Sequence, residues 1–244
     1  MRRLIALVLA LFAARLGAAD GEWTRSVDGT IESKFVRRGI ERAGASVRQG
    51  AWLANEEWKF GAWVNVPFTA RRWSEFGVLA AYTHTFGESG PTLGLQVTHY
   101  HLADAYEGHP AHAGEVAASF SFPAGPGRVT ASVTRDVSRR ADMGELGYGG
   151  EYALKDWGAF LNYRLYVGAV EADNVLPELG GPRIEDSYSY HGIDLTLPYR
   201  IGGQTVVTAG LHYAGTDGAR PFWSPGEASP GGKIWFSLAA SYEF

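Results

Sequence analysis

The sequence predicts an all-β protein: a single antiparallel transmembrane β-barrel of twelve strands, with short turns at one end and longer loops at the other. Three observations predict it. The last segment alternates strictly, with Ile234, Phe236, Leu238, Ala240, Tyr242 and Phe244 on one face and Lys233, Trp235, Ser237, Ala239, Ser241 and Glu243 on the other. A strand needs that dyad pattern when one face meets lipid and the other a wet lumen. Similar runs recur along the chain, and the connections between them alternate in length.

The runs cover residues 28–36, 44–54, 57–66, 72–84, 92–102, 112–122, 127–137, 143–154, 157–170, 186–199, 203–214 and 232–244. Each has the length and period of a spanning strand. Their apolar faces are clearest in Val116, Ala118, Phe120 and Phe122; in Trp157, Ala159, Leu161, Tyr163, Leu165 and Val167; and in Thr205, Val207, Ala209, Leu211 and Tyr213. Short turns fall at Asn55-Glu56, Gly87–Pro91, Pro123–Pro126, Lys155-Asp156 and Arg200–Gly203. Longer polar connections fall at 37–43, 67–71, 103–111, 138–142, 171–185 and 215–231. Merging two runs would give ten strands instead. Aromatic girdles are expected from Trp58, Tyr82, Tyr152, Trp157, Tyr199, Tyr242 and Phe244 at the short-turn rim, and from Tyr188, Tyr213 and Phe236 at the other.

The N-terminus carries a different signal. Met1-Arg2-Arg3 is followed by 11 apolar residues, Leu4 to Ala14, and by the small residues Gly17-Ala18-Ala19. That reads as a secretory signal peptide over 1–19, leaving 20–244 as the barrel. No other stretch reaches the ~20 apolar residues of a spanning helix. Removing 1–19 takes three arginines and no acid, so the formal charge moves from −4 to −7. An acidic chain argues against nucleic acid as a partner. The absence of cysteine excludes disulfides, thiol catalysis and thiolate metal sites.

The segments Thr30–Glu41, Val47–Trp52 and Trp58–Asn65 carry an Arg38-Gly39-Ile40 turn and then a Gly-aromatic hairpin. They resemble the opening of the TorF-type porin family. The closing Phe244 is likewise similar to the terminal aromatic of bacterial outer-membrane barrels. The resemblance implies the outer membrane of a Gram-negative bacterium, with short turns in the periplasm and longer loops outside. It implies a porin-like channel of unstated substrate and recognition of Phe244 by the barrel-assembly machinery; together with the wet inner face it makes passive diffusion of small polar solutes or ions the expected function. It carries no catalytic residues to transfer, and neither an enzyme activity nor a cofactor is expected.

By strand parity the lumen face holds Glu32, Lys34, Arg48, Lys59, Glu75, Glu115, Glu145, Glu151, Arg164 and Asp194. A basic residue facing lipid at the midplane would cost ~2–4 kcal/mol, which places these charges inside. They either line an open polar pore or pair across a narrow lumen and plug it. Three arginine pairs, Arg37-Arg38, Arg71-Arg72 and Arg139-Arg140, fall at the outer rim. Their guanidinium forks suit lipopolysaccharide phosphates, which makes outer-membrane lipid and lipopolysaccharide the expected partners. The same arginines could attract anions to a vestibule, or pair with Glu41, Asp136 or Asp142.

His99, His101, His109 and His112 cluster at a strand end and loop, in a spacing that fixes no metal geometry, so no metal site is assigned. Ser189 with His191, and His212 with Ser237 or Ser241, are the conceivable Ser–His neighbours, but none stands in a recognisable motif. A non-conducting, lipopolysaccharide-interacting barrel and a lipid-modifying enzyme therefore remain beside the porin reading.

Overall fold

The computed structural model describes residues 23–68, 74–103, 112–138, 140–155, 159–173, 185–217 and 231–244. The chain runs through β1 (Thr24–Glu32), β2 (Phe35–Arg37), β3 (Ile40–Ala43), β4 (Ser46–Ala54), β5 (Trp58–Pro67), β6 (Ser74–Thr85) and β7 (Thr92–Ala103). It continues through β8 (His112–Ala124), β9 (Gly127–Asp136), β10 (Ala141–Leu154), β11 (Ala159–Asp173), β12 (Glu185–Ile201), β13 (Thr205–Asp217) and β14 (Lys233–Glu243). Twelve of these form a closed antiparallel barrel in sequence order, from β4 to β14 and back through β1. The remaining two, β2 and β3, pair only with each other.

The barrel closes where the first strand meets the last, from Ser26 opposite Glu243 to Glu32 opposite Ser237. The backbone N–H of Phe244 adds one more bond to the carbonyl of Arg25, at 2.9 Å. Closure removes the two free edges that an open sheet would leave in lipid, where an unpaired N–H or C=O costs several kcal/mol.

Register sorts the side chains into two faces. Ile31, Leu95, Val97, Val116, Phe120, Leu165, Val167, Leu211, Phe236 and Leu238 share the outer face and are exposed. Charged and aromatic residues share the inner face and bond across strands. Trp52 lies opposite Gly61, and Trp63 opposite Gly77. A Cβ on Gly61 would stand 2.0 Å from Trp52 Cε3, and one on Gly77 would stand 2.1 Å from Trp63 Cζ2. The two glycines thus let the indoles lie flat against the inner wall, 6.2 Å apart and nearly parallel.

At the short-turn end, Asn55 closes the β4–β5 connection: its Oδ1 accepts the N–H of Glu57 at 3.0 Å and that of Trp58 at 2.6 Å. An Asx side chain mimicking a backbone turn explains why so short a connection suffices. Two sequence expectations need correction. Residues 35–36 do not extend the first strand but begin the separate hairpin. Tyr188 is no girdle residue: it faces inward and is buried at 5% exposure. Trp157 lies outside the described residues.

Candidate functional site in the lumen

The feature that organises the lumen is the β2–β3 hairpin. It leaves β1 at the long-loop end and folds inward instead of standing above the rim. Arg38 and Gly39 occupy its two-residue turn with φ of 50° and 74°. Positive φ at both central residues is the type I′ requirement, which Gly meets at no steric cost.

The hairpin reaches several walls at once. On one side Arg37 Nη2 donates to Glu115 Oε2 at 2.8 Å, and Arg38 donates to both Glu115 oxygens at 2.9 and 3.1 Å. Tyr100 donates to the same carboxylate at 3.3 Å and also meets Arg37. Burial opposes the charge on Arg37. The hydrogen bond to the Tyr100 oxygen and the fields of the Glu115 and Glu75 carboxylates more than offset that, lifting its pKa above the ordinary arginine value. On the far side Ile40, at 3% exposure, packs among Ala141, Met143, Val170, Ala172, Tyr188 and Tyr190. At the tip, a Cβ on Gly39 would stand 2.4 Å from Thr216 Cγ2. Lys233 Nζ approaches the Gly39 carbonyl at 3.5 Å. A cavity of about 30 Å³ remains beside Arg37, Glu75 and Tyr100, room for a water or two.

Arg37 and Arg38 are therefore not rim residues. Their charge finds its partner, Glu115, inside the barrel, which is why the hairpin turns inward rather than outward to lipid. Arg140 is exposed beside the β9–β10 connection. Arg71, Arg72 and Arg139 lie outside the described residues.

Beneath the hairpin a second polar chain crosses five adjacent strands. Tyr190 donates to Glu145 at 2.9 Å, and Glu145 pairs with Arg164. Arg164 Nη1 lies 4.0 Å from Asp194 Oδ2. Asp194 Oδ1 lies 2.7 Å from His212 Nδ1, and His212 Nε2 lies 2.9 Å from Ser237 Oγ. Glu32 stands opposite Ser237 on β1. Register puts Arg48, Lys59, Glu75 and Glu151 on the same inner face. Lys59 Nζ sits 4.5 Å over the Trp52 ring, and Glu75 accepts from Trp63 Nε1 at 3.2 Å. Lys34 is on the hairpin's base rather than a barrel strand, 4.0 Å from Glu41.

The other clusters face outward. His99, His101 and His112 meet at the long-loop end of β7 and β8, with ring centroids 5.5 Å and 4.7 Å apart. His109 is outside the described residues, and among those described no group of three or more His, Asp or Glu is arranged to hold a metal ion. His191 points outward toward Tyr213, at 3.5 Å. Sequence parity reads His212 and Ser237 as inward but does not supply Asp194 as their third member. The signal was present in the register of three consecutive strands.

No protein-family model matches the chain, and neither does any curated protein. Among solved structures, an outer membrane channel from Pseudomonas putida F1 is similar over 93% of this chain and 97% of its own, at 11% identity and a TM-score of 0.52. Omp33 from Acinetobacter baumannii is similar over 91% of this chain and 99% of its own, at 11% identity and a TM-score of 0.47. OprD from Pseudomonas aeruginosa is similar over 93% of this chain and 66% of its own, at 11% identity and a TM-score of 0.39. At such identity the match to the Pseudomonas putida channel is one of architecture: this chain has the fold of an outer-membrane β-barrel.

Proposed function

We propose that this protein is a bacterial outer-membrane channel for passive diffusion of small polar solutes or ions, narrowed by its own first hairpin. The observation that carries the reading is the charged inner face crossed by β2–β3. Apolar side chains cover the outside of the barrel, whereas Glu115, Glu145, Arg164 and Asp194 sit inside with Arg37 and Arg38 between the walls. An ion in such a lumen can exchange hydration water for side-chain contacts. Twelve strands enclose a lumen between the filled eight-stranded and the open sixteen-stranded cases, so one inserted hairpin is enough to set the conducting width.

The similarity in fold to an outer membrane channel supports this reading, as does the resemblance of the opening segments to TorF-type porins. The signal peptide over 1–19 and recognition of Phe244 by the assembly machinery belong to the same proposal. So does contact between lipopolysaccharide phosphates and Arg140, with Arg71, Arg72 and Arg139 in the neighbouring sequence-predicted loops.

The test is single-channel recording from the refolded mature chain and from a variant in which 35–43 is replaced by a short Gly-Ser turn. Small steps from the first and larger steps from the second are expected. A silent parent with a conducting variant would make the hairpin a plug. Silence from both folded proteins would overturn the channel reading.

A further inference from the structure

We propose that Ser237, His212 and Asp194 form a hydrolytic site on the lumen wall that cleaves small carboxylic esters entering the barrel. The three residues come from β14, β13 and β12, three consecutive strands of the closed sheet. Their spacing is that of an activated nucleophile, a base and a group that orients the base.

The hydrogen-bond directions follow from the chemistry. A carboxylate only accepts, so the 2.7 Å contact to Asp194 places the proton of a neutral His212 on Nδ1. Nε2 is then a lone-pair acceptor, and the Ser237 hydroxyl, 2.9 Å away, donates to it. The imidazole is held in this pose by Trp235, stacked 5.0 Å away with a 16° interplanar angle. Gly210 lies directly opposite Ser237, and a Cβ there would stand 2.3 Å from Ser237 Oγ and 2.5 Å from His212 Nε2. Only the absence of that side chain lets the two polar atoms meet. All three polar residues remain partly exposed, so a lumen solute can reach them.

The reaction balances with water alone. The Ser237 oxygen attacks the ester carbonyl carbon while His212 Nε2 takes its proton. The C–O bond to the alkoxide then breaks, and His212 returns the proton to the departing alcohol. Water attacks the acyl-serine, His212 takes one of its protons, and the serine oxygen leaves with that proton. An ester and a water become an alcohol and a carboxylic acid. Strand backbone N–H groups are committed to the ladder, so the developing oxyanion needs a side-chain cation. Arg48 is a cation on that face: it stands opposite Thr30 on β1, two residues from Glu32, which is opposite Ser237. The hairpin narrows the approach from the long-loop end: Lys233, which touches it, is four residues before Ser237, on the order of 13 Å along the strand.

The test uses the refolded mature chain, with folding checked by circular dichroism. A small alkyl fluorophosphonate should form one adduct, mapped to Ser237 by mass spectrometry, and p-nitrophenyl acetate should turn over. Ser237→Ala and His212→Gln should lower turnover by at least about a hundredfold. Asp194→Asn should slow labelling, and Asp194→Glu should restore part of it, a rescue that a merely structural acid would not show. Gly210→Ala should block labelling by parting Ser237 from His212, with all three polar residues still present in the chain. A folded parent with no adduct at Ser237, or with ester turnover equal to that of Ser237→Ala, would overturn the proposal.

Discussion

Arg38 and Glu115 are 77 positions apart in the chain and 2.9 Å apart across the lumen. Arg37 reaches the same carboxylate, so two cations share one acid that is itself almost fully buried. Glu115→Gln preserves the shape of the site and removes its charge. A hydrogen bond to a charged group is worth ~2 kcal/mol. The hairpin amides of 35–43 are therefore expected to exchange hydrogen roughly 30-fold faster in the variant. Mass-resolved exchange checks this, with the barrel strands as the internal control.

Gly39→Val attacks the opposite end of the hairpin. The new Cβ would overlap Thr216 at 2.4 Å and would hold a branched residue at a φ of 74°. Left-handed backbone costs such a residue about 1–2 kcal/mol before any overlap is counted. The hairpin should leave its seat and become accessible to protease between residues 33 and 45, while circular dichroism still reports an intact barrel.

Leu161 and Arg164 test the two faces of β11. Register places Leu161 toward lipid and Arg164 toward Asp194 in the lumen. Leu161→Arg should lower the unfolding free energy from lipid vesicles by about 2–4 kcal/mol. Arg164→Leu should cost clearly less in the same urea titration. Equal losses would show the faces to be assigned the wrong way round.

Gly61→Ala tests the flat indole. Its Cβ would stand 2.0 Å from the Trp52 ring, which is held at Nε1 by the Asp28 carboxylate and has Lys59 over its face. Overpacking of this kind costs ~1–3 kcal/mol. A shift in tryptophan emission together with a lower urea midpoint is the expected result.

The barrel strands were legible in the sequence because a two-residue period in a lipid-facing wall leaves few alternatives. Phe120 and Phe122, or Leu165 and Val167, could face only outward. The hairpin was not legible as an inward element. Its turn residues, Arg38 and Gly39, signal a tight reversal, but nothing local says where it points. That is decided by Glu115 and by the pocket around Ile40, both far along the chain. The inward side of Tyr188, by contrast, was legible: it shares strand and parity with Asp194, and assigning it to a girdle set that parity aside. Register turns Glu115, Glu145, Arg164 and Asp194 to the inner face, but Lys34, which parity groups with them, lies off the barrel strands, and the alignment of Asp194, His212 and Ser237 depends on the stagger between three strands.

The hairpin also sets an order of events during assembly. It lies near the start of the chain, yet its contacts belong to β7, β8 and β10 through β14. Lys233, beside its tip, opens the final strand. The segment made early therefore cannot complete its contacts until nearly the whole wall exists around it. Seating it completes the molecule in the way a keystone does, joining a segment made early to walls made late.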